Sequence, residues 1–316
     1  MSKINRIFYI AAIMVMISLS VFLSGCFKGS SQGRLNPILL GGGSLVGQQE
    51  QLELYGVIPF DDISDNPGVI EINNTHFGGV DDRNYRINGG LPFEFYLLGR
   101  KFDAGRNLTV DINGYISFDD DIPSLFVNTN INNILNNYDS FIAPFWDDLY
   151  IVDTTKHKVW YIIEGTAPNR RLIVQWYMSG FSNTDNQVVF QVILFEGSNE
   201  IEFLYTWMRD VNSNDSSGSA ANPTGSSATI GVISGADGYP NGLQKIYSVN
   251  TAVIPTIPAG QAFYVYFAPT NSIASDYQIQ TGFVNSNLDP SSLNVLPNLL
   301  INELPKYENK KEENNR

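Results

Sequence analysis

Cysteine, histidine and positive charge are all scarce in this chain. One cysteine, Cys26, excludes any internal disulfide, so an exported form must be held by a core large enough to do without staples. Two histidines, His76 and His157, fall short of the three or four N/S ligands of a zinc site. The one Gly-x-Ser-x-Gly match, Gly29–Gly33, lies in a Gly/Ser/Gln-rich stretch with no strand before it to present a nucleophilic serine, and no Asp-x-Asp-x-Asp-Gly run marks an EF-hand. Lys and Arg number 19 against 32 Asp and Glu, a net charge of −13, which argues against nucleic acid and against a basic membrane-binding patch. No internal repeat of fixed period is visible. What the chain does hold is 19 Phe, 16 Tyr and 4 Trp among many Val, Ile, Gly and Asn, a β-protein mixture with a sizeable core.

The N-terminal segment has the layout of an export signal. Lys3 and Arg6 precede an apolar run from Ile7 to about Leu23, and small residues follow. Seventeen apolar residues would form a helix of roughly 25 Å, short of the hydrocarbon core, so length alone does not separate a signal from a membrane anchor. Leu23-Ser24-Gly25-Cys26 does, because it resembles the lipobox of bacterial lipoproteins. The resemblance implies cleavage before Cys26, acylation of that residue and attachment to the membrane through two or three lipid chains, enough for stable anchoring. Phe27 stands where many inner-membrane lipoproteins carry Asp, which points to the outer membrane in a host that has one. Cleavage takes two cations and no acid, leaving a net charge of −15.

The rest divides into a Gly/Ser/Gln-rich tether over 26–51, a β domain over 52–284 and a polar tail over 285–316 expected to be disordered. The expected fold is an all-β antiparallel sandwich of roughly ten strands. Leu108–Ile112 and Tyr115–Phe118 flank Asn113-Gly114, a strong hairpin signal because both turn residues tolerate positive φ. Further strands are expected at Lys158–Glu164, Leu172–Met178, Gln187–Phe195, Glu200–Trp207, Ala228–Ile233 and Ala262–Phe267. Val188, Phe190, Val192 and Leu194 share one face of their strand; Val189, Gln191, Ile193 and Phe195 share the other. Both faces are mostly apolar, so this strand should be covered on both sides. Ile131, Ile134, Leu135 and Tyr138 fall at helical spacing and predict a turn or two of helix. The Asn/Ser/Gly run 210–227 predicts a loop.

In order along the chain come Leu91-Pro92-Phe93, Asn113-Gly114-Tyr115-Ile116-Ser117-Phe118, Ile142-Ala143-Pro144-Phe145-Trp146-Asp147-Asp148-Leu149, Gly165–Arg171 leading into Val174-Gln175-Trp176, Phe190–Gly197, Ile201–Tyr205 and Ala228–Val232. This ordered set resembles the nidogen extracellular (NIDO-like) domain over about 80–268. The resemblance implies an extracellular β-sandwich module and no particular activity.

Asp147-Asp148, after Trp146, is the best polar candidate. Neighbouring strand residues face opposite ways, so one of the pair should face inward, accepting backbone N–H groups or pairing with Arg170 or Arg171. The alternative is an oxygen-ligand calcium site shared with Asp119, Asp120 or Asp121. Acid pairs also suit a glycosidase, but among 32 acids some pair will stand at a suitable spacing by chance. Trp146, Trp160, Trp176 and Trp207 could build a sugar platform, yet strands this apolar place tryptophan in the core. The expected function is a non-catalytic, lipid-anchored envelope protein that binds an extracellular protein or glycan, or has a structural role. The alternatives are a glycan-active enzyme and a calcium-stabilised structural lipoprotein.

Overall fold

Period-two alternation needs two apolar layers to bury it, and the computed structural model of the chain supplies them. It describes residues 55–118, 122–128, 140–181, 186–209, 223–235 and 243–289. The Cys26 region, Asp119–Asp121, the helical spacing at 131–138, most of the 210–227 loop and the tail beyond 289 lie outside the described residues.

The first described elements are short: β1 (Ile70–Ile72), the single-turn α1 (Asn74–Phe77), β2 (Asn84–Arg86), β3 (Phe95–Leu97), β4 (Arg100–Phe102), β5 (Thr109–Asp111) and β6 (Tyr115–Ser117). Then come β7 (Phe141–Trp146), β8 (Leu149–Tyr150), β9 (Lys158–Glu164), β10 (Arg171–Gly180), β11 (Gln187–Phe195) and β12 (Ile201–Arg209). The last four are β13 (Thr229–Ser234), β14 (Leu243–Val249), β15 (Gln261–Pro269) and β16 (Tyr277–Asn285). The all-β antiparallel sandwich holds. Its strands outnumber the expected ten because β1–β4 span three residues each and β8 two, too few to show alternation. β16 also escapes the sequence reading, since Gln, Thr and Asn dilute its apolar positions.

One sheet has the order β1-β9-β10-β11-β12-β15-β16, with β8 extending the β10 edge. The second has the order β14-β13-β7-β6-β5-β2, and β3 and β4 form a separate hairpin. All named pairings are antiparallel, as expected of strands joined by short turns. Between the sheets, Val174, Trp176, Phe190 and Val192 meet Val110, Ile116, Ile142, Phe145 and Val232. Trp176 stacks on Phe190 at 5.1 Å and donates from Nε1 to the Asp111 carbonyl, 2.9 Å. A hydrogen bond across the core thus satisfies the indole that burial would otherwise orphan.

The outer face of the larger sheet is buried as well. Ile173, Tyr177, Val189, Ile193, Phe195 and Leu204 lie beneath Phe60, Ile63 and Leu288. The cover is a strap over residues 55–69, and polar side chains of the sheet hold it down. Glu200 accepts from the N–H of Tyr55 (2.7 Å) and Gly56 (2.9 Å) and from the Tyr266 hydroxyl. Glu202 accepts from the Ile58 N–H, 3.2 Å to each oxygen. Gln175 accepts from the Ile63 N–H and donates to Asp62, while Gln191 donates to the Asp61 carbonyl.

Candidate functional site

The β5–β6 turn organises one end of the sandwich. Asp111 pairs with Tyr115, so the loop is Ile112-Asn113-Gly114, three residues rather than two. Gly114 alone takes positive φ, +76°, in the manner of a type I turn closed by a left-handed residue. A Cβ on Gly114 would lie 2.0 Å from the Phe145 carbonyl oxygen, so close packing adds a second demand for glycine. Asn113 is buried and its groups are all used. Its amide donates to Asp82 Oδ1 (2.9 Å) and Ser124 Oγ (3.2 Å). Its side-chain oxygen accepts from Leu149 N–H (2.9 Å), and its carbonyl from Asp147 N–H (3.2 Å). One asparagine therefore ties the 80–83 and 147–149 segments together.

The result is a cluster of carboxylates. Asp81, Asp82 and Asp148 each bring an oxygen to within 4.8 Å of the other two. A single bridge between Asp81 and Tyr150, and the bond from Ile151 N–H to the Val80 carbonyl (2.9 Å), hold the segments side by side. Burial, then the charges of Asp81, Asp82 and Asp147, push the Asp148 carboxyl up to about 7. Burial and the Asp82 charge also raise Asp81. Asp81 Oδ1 is shut off from solvent and has no hydrogen-bond partner. Oxygens gathered in this way suit a hard cation such as calcium. Beside them, Tyr150 packs edge-on to Phe181, which is 48% exposed, and Phe181 N–H bonds the Asp148 carbonyl at 3.0 Å.

The sequence candidates divide. Asp148 joins the cluster. Asp147 faces inward, as alternation requires of one member of the pair, and accepts from Asp148 N–H (2.9 Å) and Ser227 Oγ (2.6 Å). The expected arginines pair elsewhere: Arg170 binds Glu196 and Arg171 binds Glu164. The reason is position, because those arginines stand at the start of β10 whereas Asp148 stands by its last residue, Gly180. Asp81 and Asp82 were missed. They form a second Asp-Asp pair, but 66 positions separate them from the first and only the fold brings the two together.

Asp111 is a further buried acid. It accepts from Asn113 N–H, Ser124 Oγ and the Tyr115 hydroxyl, and burial raises it to about 7. Enclosed and fully bonded, it has no route to a substrate. The histidines stand on separate elements. His76 caps α1 through Asn73. His157 is buried edge-on against Tyr177, and its Nδ1 accepts from the N–H groups of Val152 (3.1 Å) and Asp153 (3.3 Å). Burial lowers it to about 4. Trp146 and Trp176 are core residues, as expected, and Trp160 and Trp207 pack beneath the strap.

No curated protein and no solved structure matches this chain. A family model described as NIDO related matches residues 60–269, a span that takes in every strand but β16, the Asn113 turn and the acidic cluster, and the chain therefore belongs to that family.

Proposed function

We propose that this is a lipid-anchored surface protein of the bacterial cell envelope, facing out from the outer membrane where the host has one. Its NIDO-related sandwich acts as a non-catalytic module that binds an extracellular protein or glycan. Family membership supports the extracellular, structural-or-binding part of the reading. The lipobox-like Leu23–Cys26 supports the anchor. The observation that carries the reading is the separation of two ends. Tyr55, where the chain from the tether joins the sandwich, stacks on Phe195 and hydrogen-bonds Asn169, at the Arg171 end of β10. The acidic cluster and Phe181 stand at the Gly180 end, roughly 30 Å away for a strand of this length. The carboxylates and the exposed aromatic pair thus stand at the end of the sandwich remote from Tyr55, where they suit a partner with cationic groups.

Cell fractionation tests the anchor. Cys26→Ser should move the protein out of the membrane fraction or stall its processing, and intact mass of the native protein should show acylation at Cys26. An unmodified N-terminus would overturn this reading. Turnover of a glycan, peptide or ester substrate that one Asp or Glu substitution abolishes, with the fold intact, would overturn the non-catalytic reading.

A second reading is favoured by the unpartnered Asp81 Oδ1. Here the Asp81, Asp82 and Asp148 oxygens hold calcium and stabilise the loop end. A melting temperature that rises with calcium, falls with chelator, and loses both responses in Asp148→Asn is the expected result.

A further inference from the structure

The outer edge of β16, which the strap occupies only at its C-terminal end through Phe60 beside Asn285 and Ser286, differs from every other sheet edge among the described residues. A bare edge is a template for another strand, and proteins blunt such edges with short strands, charges, proline or bulges. β1 and β2 span three residues and carry Glu71 and Arg86; β8 spans two. β14 carries Lys245, ion-paired with Asp276, and a bulge opposite Ile230–Gly231. The β3–β4 hairpin is short and carries Arg100 and Lys101. β16, Tyr-Gln-Ile-Gln-Thr-Gly-Phe-Val-Asn, is long, has neither charge nor proline, and pairs with β15 without a register break.

The backbone direction of that edge follows from two bonds. Ser286 N–H reaches the Gly260 carbonyl, and Thr270 N–H reaches the Asp276 carbonyl. Both belong to the same register as the β15–β16 ladder. Hydrogen-bonded pairs alternate in an antiparallel ladder, so even-numbered residues of β16 face β15. The N–H and C=O of Ile279, Thr281 and Phe283 therefore face outward. Phe283 is 45% exposed, and Ile279 beside it is half-buried.

We propose that this edge pairs with β16 of a second copy, antiparallel, about a two-fold axis at Thr281. Outward-facing groups at Thr281 allow a hydrogen-bonded pair on the axis, with Ile279 opposite Phe283 of the other copy on either side. Odd positions share one face, so the two exposed apolar side chains meet directly and Thr281 meets its own equivalent. Charge selects the surface: the molecule carries −13 overall, yet β16 and neighbouring β15 have no charged residue, so two copies can approach here without like charges opposed. The inference is independent of whatever the acidic end binds.

Sedimentation equilibrium of the full-length protein in density-matched mild detergent, over a concentration series, should show a monomer–dimer equilibrium. Thr281→Pro removes an N–H that β15 does not use, so the fold should survive while the axis pair is lost. The dimer dissociation constant should rise roughly tenfold or more for the loss of two hydrogen bonds. Thr281→Lys, which places like charges on the axis, should weaken the dimer likewise, and serves if the proline variant fails to fold. Unchanged circular dichroism and melting of the monomer confirm that the fold persists. A protein that stays monomeric throughout, or a dimer indifferent to a folded Thr281 variant, overturns the proposal.

Discussion

The two ends of the sandwich treat their acids in opposite ways. At the strap end Glu200 and Glu202 are completely buried, yet each accepts hydrogen bonds: Glu200 from two backbone N–H groups and a tyrosine hydroxyl, Glu202 from the Ile58 N–H. At the other end Asp81, Asp82 and Asp148 are only partly buried and crowd one another; Asp82 accepts from the Asn113 amide, but Asp81 Oδ1 has no donor. Deep burial with donors makes a lock. Shallow burial of crowded carboxylates with too few donors makes a site whose preferred partner must come from outside. The number of acids is a poor guide to function; what their oxygens touch is the better one.

Five changes would break or sharpen that contrast. Gly114→Val should have the largest effect. It puts a β-branched residue at positive φ and drives its Cβ into the Phe145 carbonyl, with an expected cost of about 3–5 kcal/mol. Thermal or urea unfolding measures it, and an unchanged melting temperature would contradict the turn as the organiser of the acidic end.

Next are the locks. Glu200→Ala leaves the Tyr55 and Gly56 N–H groups without acceptors and should cost about 2–3 kcal/mol. Amide exchange should accelerate over the strap, 55–60, far more than at Asp81–Asp82. Glu202→Gln should cost much less. Burial holds the Glu202 carboxyl well above the ordinary range and so favours its neutral form, which glutamine resembles while keeping one oxygen for the Ile58 N–H.

Third is pH dependence at the open cluster. The Asp148 carboxyl stands at about 7 in the folded protein against an ordinary 3.8, so the fold binds that proton more tightly than the unfolded chain does. Its contribution is full below pH 4 and is lost as pH rises through 7. Asp148→Asn should therefore stabilise the protein at pH 8 and change little at pH 4.5. The gain should be on the order of 1 kcal/mol, because solvent reaches the half-open group and screens it. A melting difference independent of pH would remove Asp148 from the cluster. His157 runs the other way, its contribution being lost as pH falls from 6.5 through about 4, so the comparison must be between variant and parent at each pH.

Smallest in stability is Phe181→Ala, within about 0.5 kcal/mol for so exposed a side chain. Under the proposed function, binding of a cationic extracellular partner should fall nonetheless, measured by retention of labelled cationic peptides and glycans on the immobilised protein. Equal losses of stability and binding would make Phe181 structural.

Much of this was legible before folding. Val188–Phe195 and Leu172–Met178 declare two buried faces by alternation alone, and the sheet buries both. Asn113-Gly114 marks its hairpin, although the loop is one residue longer because Asp111 pairs directly with Tyr115. Gln175 and Gln191 read only as polar interruptions of an apolar face, because nothing local says that a strap will cross there and need a donor and an acceptor.

The sequence by itself determined the class of fold, the two-sided burial of the long strands and the inward turn of one member of the Asp147-Asp148 pair, since these follow from a period of two and from the chemistry of each side chain. Tertiary structure alone decided that Asp81 and Asp82 meet Asp148, that Arg170 and Arg171 stand at the far end from it, that residues 55–69 roof the larger sheet, and that most of the outer edge of β16 is unpaired among the described residues. Those outcomes depend on sheet order and on register between segments tens of residues apart. Register is set by the summed packing of whole strands, and no short stretch of sequence contains that sum.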